Sequence, residues 1–426
     1  MKTYRYPDRK EWKKLVTRPE IKKSALDSIV YTIIQTVKAE GDRALKRYSR
    51  EFDGMSAEEF RVSDEEIRSA IKTVPDKLKK AIELAKSNIE KFHSSQLIEE
   101  KVTETVKGVK CWRRSVPVER AGLYIPGGTA PLFSTVLMLA IPAKVAGCSD
   151  VILCTPPTRD GMINPVLLYT AWLTGVKEIY KVGGAQAIGA MAYGTASIPA
   201  VDKIFGPGNQ YVTRAKQLVQ LDGVAIDMPA GPSEVLIIAD NKTRAEYVAA
   251  DLLSQAEHGI DSQVVLITDY EPLIGEVQNE IKEQVKTLPR KAIAADALAN
   301  SFSVLFRTKE ECMAFSNMYA PEHLIISTSD AIKLAKKVVN AGSVFLGEFS
   351  CESAGDYASG TNHTLPTNGY SRSYSGVSTD SFLKKITFQE INATGLKKIG
   401  SAIELMAEAE QLIAHKNAVS IRLKNI

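Results

Sequence analysis

The stretch VLIIADNKTRAEYVAADLLSQAEHGIDSQVVLIT (235–268) reads as strand, helix, strand. VLIIAD (235–240) and QVVLIT (263–268) are continuous apolar runs, the pattern of strands covered on both faces. The segment between them carries apolar residues at helical spacing. A helix of that length between two strands is the crossover that parallel pairing requires. The same alternation extends in both directions. AGLYI (121–125), DVILCT (150–155) and EIYKVG (178–183) precede it; HLIIST (323–328) and SVFLG (343–347) follow. Repeated strand–helix alternation predicts an α/β architecture with largely parallel sheets.

The flanks differ. Residues 21–107 read as mostly helical, in SALDSIVYTIIQTVKAEGDRAL and DKLKKAIELAKSNIEKF, with Gly41 and Pro75 as punctuation. Residues 394–416 are helical again, with Leu396, Ile399, Ile403, Met406 and Ile413 apolar. Two Gly/Pro-rich stretches, IPGGTAP (125–131) and DMPAGPSE (227–234), bracket about a hundred residues, a common size for an inserted domain. Glu352 to Ser378 has no periodicity and reads as a long functional loop suited to close backbone approach to a ligand.

Composition narrows the class. Hydrophobic residues at 44% and charged residues at 24% are ordinary for a globular chain with a real core. A net charge of +4 is too small to argue for nucleic acid. The basic surplus lies in the first 120 residues, where it reads as solvated helix faces. MKTYRYPDRKEWKK lacks the apolar core of a signal peptide, and no apolar run is long enough to span a membrane. Cys111, Cys148, Cys154, Cys312 and Cys351 are scattered, without a CxxC pair. That argues for reduced thiols in the cytoplasm, against a disulfide framework or a thiolate zinc site.

The five histidines locate the chemistry. His93 sits in a charged helical run and is expected at the surface. In SQAEHG (254–259), Gln255 and His258 share a face if the helix continues, so both can reach one cation. A helix end capped by Gly259 explains the same residues. In PEHLII (321–326), Glu322 and His323 precede a strand and suit general acid–base work, or form a polar loop. SAGDYASGTNH (353–363) offers Asp356 and His363; EQLIAHKN (410–417) offers Glu410 and His415. GGAQAIG (183–189) opens a helix after a strand, the setting for an anion at a helix N-terminus. Neither it nor GPGN (206–209) matches a dinucleotide fingerprint, and tight turns explain both.

Together these motifs resemble histidinol dehydrogenase. The similar stretches include LYIPGGTAPLFSTVLMLAIPAKVAGC, VGGAQAIGAMAYGT, VDKIFGPGN, DMPAGPSEVLIIAD, DLLSQAEHG, PEHLII, GSVFLG, ESAGDYASGTNHTLPT and AEQLIAHKNAV, in the family's order over about residues 110–420. The resemblance implies two incomplete Rossmann-like parallel-sheet domains, a helical N-terminal region and a helical C-terminal tail. It divides the chain into an arm (1–24), a discontinuous domain (25–122 and 236–376), an inserted NAD-binding domain (123–235) and a tail (377–426) that completes the partner's site. It implies one zinc per subunit, held by Gln255, His258, Asp356 and His415, and an acid–base pair, Glu322 and His323. Ser233, Gln255, His258, His323, Asp356, His363, Glu410 and His415 surround substrate; Tyr124, Gln186 and Asn209 contact NAD. The implied reaction takes L-histidinol through bound histidinaldehyde to L-histidine, with two NAD reduced, in a cytoplasmic homodimer whose shared sites take Glu410 and His415 from the partner. One position departs from the family: Cys351 stands where proline is usual before ESAGDY.

Rival readings remain at this stage. The Gln/His/Asp/His set also suits a zinc hydrolase, which needs no NAD. A binding protein on the same fold would have no need of the Glu322–His323 pair. A dehydrogenase of another amino alcohol is a third. Cys148 and Cys154 flank a strand as possible nucleophiles, but their neighbours are apolar and no histidine is near in sequence.

Overall fold

The computed structural model describes residues 1–18, 23–54, 59–127, 131–229 and 231–426. Residues 128–130 of IPGGTAP, Ala230 of DMPAGPSE and 19–22 of the N-terminal arm lie outside the described residues. Two parallel sheets carry the fold. The first has six strands in the order Lys2–Arg5, Phe302–Leu305, Gln263–Thr268, Glu234–Ala239, His323–Ser327, Ser343–Leu346. The second has five, in the order Glu178–Lys181, Asp150–Thr155, Arg120–Tyr124, Lys203–Phe205, Ala225–Ile226. All seven expected strands form, with edges within two residues. The crossover helix in the opening stretch is Ala245–Ala256. Among the described residues no helix is long and apolar enough to cross a membrane.

The departures fall where partners are distant or elements short. Lys203–Phe205 and Ala225–Ile226 are too brief to leave a pattern. Residues 377–426 are not wholly helical. Leu383–Ile391 is a strand, antiparallel to Val109–Pro117, which also pairs with Thr103–Val106. Phe388 stacks on Trp112 there, ring centroids 5.4 Å apart. The 352–378 segment is not structureless throughout, since Glu352–Tyr357 is helical.

The helix Lys23–Glu40 sends Val30, Ile34 and Val37 into the core around Ile188 and Val212 of the second sheet's helices. A helical stripe predicts burial but not which sheet supplies the cover. Residues 1–18 belong to the first sheet instead. Lys2–Arg5 forms its edge strand, and Trp12 packs edge-on against Phe306 and Phe315, at 5.1 and 5.6 Å.

The second sheet's strands end at one side of a cleft. Gly206 sits there with φ +128°, and a Cβ would stand 2.1 Å from the Tyr124 carbonyl oxygen. Only glycine tolerates both conditions. The turn is held by a buried ion pair, Lys216–Asp227. Lys216 Nζ donates to the Gly206 carbonyl at 2.8 Å; the Gly206 N–H donates to Asp227 Oδ2 at 2.7 Å. Lys216→Met leaves Asp227 buried and unpaired, so it should lower unfolding stability by about 3–5 kcal/mol. Adding Asp227→Asn should recover part of that loss. Urea melts of both variants check this; a neutral Lys216→Met refutes the pairing argument.

Candidate active site

The site forms at the opposite polarity on the first sheet, at the starting ends of its central strands. The helix Lys309–Tyr319 ends at Ala320, whose φ of +56° turns the chain sharply into Glu322 and the strand His323–Ser327. Both Glu322 and His323 are buried. Glu322 Oε2 accepts from the Glu234 N–H at 2.7 Å. His323 Nδ1 lies 3.1 Å from the Glu234 carbonyl oxygen, 3.6 Å from Glu322 Oε2 and 3.9 Å from Glu352 Oε1. Its Nε2 is 3.6 Å from Asp356 Oδ1. Gln255, in the last turn of Ala245–Ala256, brings its amide nitrogen within 3.3 Å of both Glu322 Oε2 and His323 Nδ1.

A second constellation adjoins this one. His258, Glu352 and Asp356 each offer a ligand atom, all within 4.8 Å of one another. Glu352 and Asp356 are four apart on the short helix Glu352–Tyr357 and so share its face. His258 lies two residues past its helix, open to the cleft yet crowded by protein. Glu352 is fully buried, and its Oε2 has no hydrogen-bond partner. An orphaned buried carboxylate oxygen beside an imidazole and a second carboxylate is a donor set made for a divalent cation. Sequence reading missed Glu352. The i, i+4 spacing with Asp356 was its only signal.

Electrostatics follow the packing. Burial raises Glu322 above the ordinary carboxylate range. Burial opposes charge on His323, but Glu352 and Glu322 outweigh it and raise the imidazole well above its usual value. Asp356 is held low against its burial by its contact with His323. Burial depresses His258 and His363.

His363 joins the two sheets. Its Nδ1 is 3.0 Å from the Asp356 carbonyl oxygen and its Nε2 is 3.1 Å from Thr135 Oγ1, on the second sheet's helix Phe133–Ala146. His93 is not at the surface. It is completely buried, 3.4 Å from the Asn362 side chain, and its carbonyl accepts from Thr379 Oγ1 at 2.8 Å. The charged pattern of its helix describes the other face.

A cleft of about 2120 Å³ runs from this site to the second sheet, lined by Ser233, His258, Glu322 and His363 on one side and Tyr124, Gln186 and Asn209 on the other. Tyr124 is buried, and its hydroxyl accepts from the Gly184 N–H at 3.0 Å. Gln186 is buried at the start of the helix Gly184–Tyr193. Asn209 caps Gln210–Leu221, accepting from the N–H groups of Tyr211 and Val212 at 3.0 and 3.1 Å. The cleft exceeds the roughly 300–1,000 Å³ of a small-ligand pocket, leaving room for two ligands end to end. Glu410 and His415 are not brought here. They lie exposed where Ala393–Ala409 turns into Ile413–Leu423.

The family model for histidinol dehydrogenase matches residues 16–423. A histidinol dehydrogenase of Bacteroides thetaiotaomicron is 57% identical over 426 residues, covering 100% of both chains. That of Salmonella typhimurium is 52% identical, covering 96% of this chain and 94% of the relative. The crystal structure of histidinol dehydrogenase from Elizabethkingia anophelis superposes with a TM-score of 0.98 at 58% identity, over 100% of this chain and 98% of that one. This chain belongs to the histidinol dehydrogenase family. It is therefore an oxidoreductase of histidine biosynthesis.

Within this histidinol dehydrogenase framework the cysteines stand apart. All five are free, and none lines the cleft. Burial pushes the Cys148 thiol up to about 11 and that of Cys154 higher still. At neutral pH both stay protonated and poorly nucleophilic. Cys148→Ser and Cys154→Ser should keep most of the turnover of the unaltered enzyme, and iodoacetamide at pH 8 should leave both thiols unlabelled. Loss of turnover in a folded variant would restore a covalent mechanism.

Proposed function

We propose that the protein is a zinc-dependent L-histidinol dehydrogenase that carries out both oxidations, histidinol to histidinaldehyde and the aldehyde to histidine, reducing two NAD. The observation that carries this reading is an acid–base pair next to a cation donor set, reaching the 2120 Å³ cleft through Glu322 and His258. In the first half-reaction His323 takes the hydroxyl proton while the carbinol hydride leaves for the nicotinamide. In the second, after His323 has released that proton to solvent, Glu322 takes a proton from the water that adds to the retained aldehyde, and His323 deprotonates the hydrate as the second hydride leaves. Both residues are buried, which shields the aldehyde and sharpens their electrostatics. Zinc, when bound, supplies Lewis-acid charge and orients the imidazole and amine of the substrate.

His258 and Asp356 belong to the donor set seen here, and the family resemblance adds Gln255 and the partner subunit's His415; these four are the ligands we assign, with the Glu352 carboxylate beside them. Ser233 and His363 line the substrate end, and the partner subunit's Glu410 closes it. Tyr124, Gln186 and Asn209 hold NAD at the other end. A shared site accounts for the exposed position of His415. It also accounts for the apolar surface left open on the tail, where Leu405, Met406, Ile413 and Ile421 are each at least half exposed. Interdigitated homodimers of this kind bury such surface. A reducing cytoplasmic setting agrees with five free thiols.

Limiting L-histidinol should yield two NADH per molecule, with the yield lost on chelation and restored by zinc. One NADH would mean release of the aldehyde, and none would remove the reading. His323→Asn should keep metal and lose turnover. His415→Asn should lose both while staying folded. Mixing the two inactive variants, unfolded and refolded together, should restore about a quarter of full activity, because half of the sites in half of the dimers recover both residues. No recovery would refute the shared site.

A further inference from the structure

Arg18 stands at the end of the N-terminal segment, far in sequence from Glu322 and His323. Its guanidinium meets Glu234 fork to fork, Nε to Oε1 at 2.9 Å and Nη2 to Oε2 at 2.7 Å. Nη1 donates to the carbonyls of Val16 at 2.9 Å and Tyr319 at 2.8 Å, and the plane lies 3.5 Å from the Tyr319 ring centroid. The side chains of Arg18 and Glu234 are 10% and 1% exposed. Glu234 Oε1 also accepts from the Asn368 N–H at 3.0 Å.

What Glu234 does next gives this pair its interest. Its own N–H donates to Glu322 Oε2, and its own carbonyl faces His323 Nδ1. The main chain of one residue therefore touches both members of the acid–base pair. Arg18 grips a second point as well. Tyr319, whose carbonyl it binds, ends the helix three residues before Glu322. Tyr319 in turn donates its hydroxyl to Gln263 Oε1 at 2.8 Å, tying this corner to the next strand. A planar fork fixes angle as well as charge, which a lysine would not.

We infer that Arg18, acting through Glu234 and Tyr319, is a positioning residue that holds Glu322 and His323 in register with each other. The inference rests on the reading of that pair as the acid–base group. It gives one basic residue of the N-terminal segment a role beyond solvation. His323 is thus fixed at both ring nitrogens, Nδ1 facing the Glu234 carbonyl and Nε2 facing Asp356.

The test uses the full-length enzyme with zinc bound, in steady state with L-histidinol and NAD. Arg18→Met should lower kcat by about 10²-fold, since small misplacements of reacting groups carry that cost. KM for both substrates and zinc content should stay nearly unchanged. Arg18→Lys should fall between Arg18→Met and the unaltered enzyme. Glu234→Gln should repeat the loss. Combined with Glu322→Gln, Arg18→Met should cost little further, because both act on one group. Unchanged kcat in folded Arg18→Met and Glu234→Gln, or losses that multiply with Glu322→Gln, overturns the inference. Should Arg18→Met fail to fold, Arg18→Lys and Glu234→Gln carry the same comparison. An unaltered enzyme that yields no NADH would refute the site reading itself, a result separate from loss in the variants alone.

Discussion

A buried carboxylate has to find a partner or give up its charge, and three of them, with a fourth partly buried, crowd the starting end of the first sheet. Glu234, Glu322, Glu352 and Asp356 lie on three separate chain segments around His323. Each is answered differently. Glu234 takes the Arg18 fork, Glu322 a backbone N–H, and Asp356 the His323 imidazole. Glu352 keeps one oxygen unanswered. The rest of the molecule is arranged so that these answers are available. The N-terminal segment is anchored by a strand and by Trp12, which delivers Arg18. The 353–364 loop is pinned by His363 and by Asn362, which donates to the Met138 carbonyl.

The two sheets divide the labour by polarity. The second sheet presents the finishing ends of its strands to the cleft, where ligands usually bind in open parallel sheets. Tyr124 and Gly206 stand there. The first sheet presents its starting ends, which is why Glu234 and His323 open their strands. The Glu234 N–H, at the first residue of its strand, donates to Glu322 and holds it there. His363, bonded to Thr135, spans the two sheets and ties the carboxylate segment to the second one.

The C-terminal tail poses an energetic problem of its own. Its two helices, Ala393–Ala409 and Ile413–Leu423, pack on each other and leave Leu405, Met406 and Ile421 in water. Continuous apolar surface of that kind is normally covered.

The sequence by itself determined the α/β class and seven of the eleven described strands of the two parallel sheets, because burial on both faces writes a continuous apolar run. It also singled out Gln255, His258, Glu322, His323, Asp356 and His363, since polar residues at element boundaries stand out against that background. It did not reveal Arg18, Glu352 or the burial of His93, nor that Lys23–Glu40 covers the second sheet and Leu383–Ile391 pairs with Val109–Pro117. Those are facts about partners. Periodicity encodes that a face is buried, but the identity of what buries it is settled only when segments far apart in sequence meet. Arg18 and Glu234 are one such pair, and only the tertiary structure brings them together.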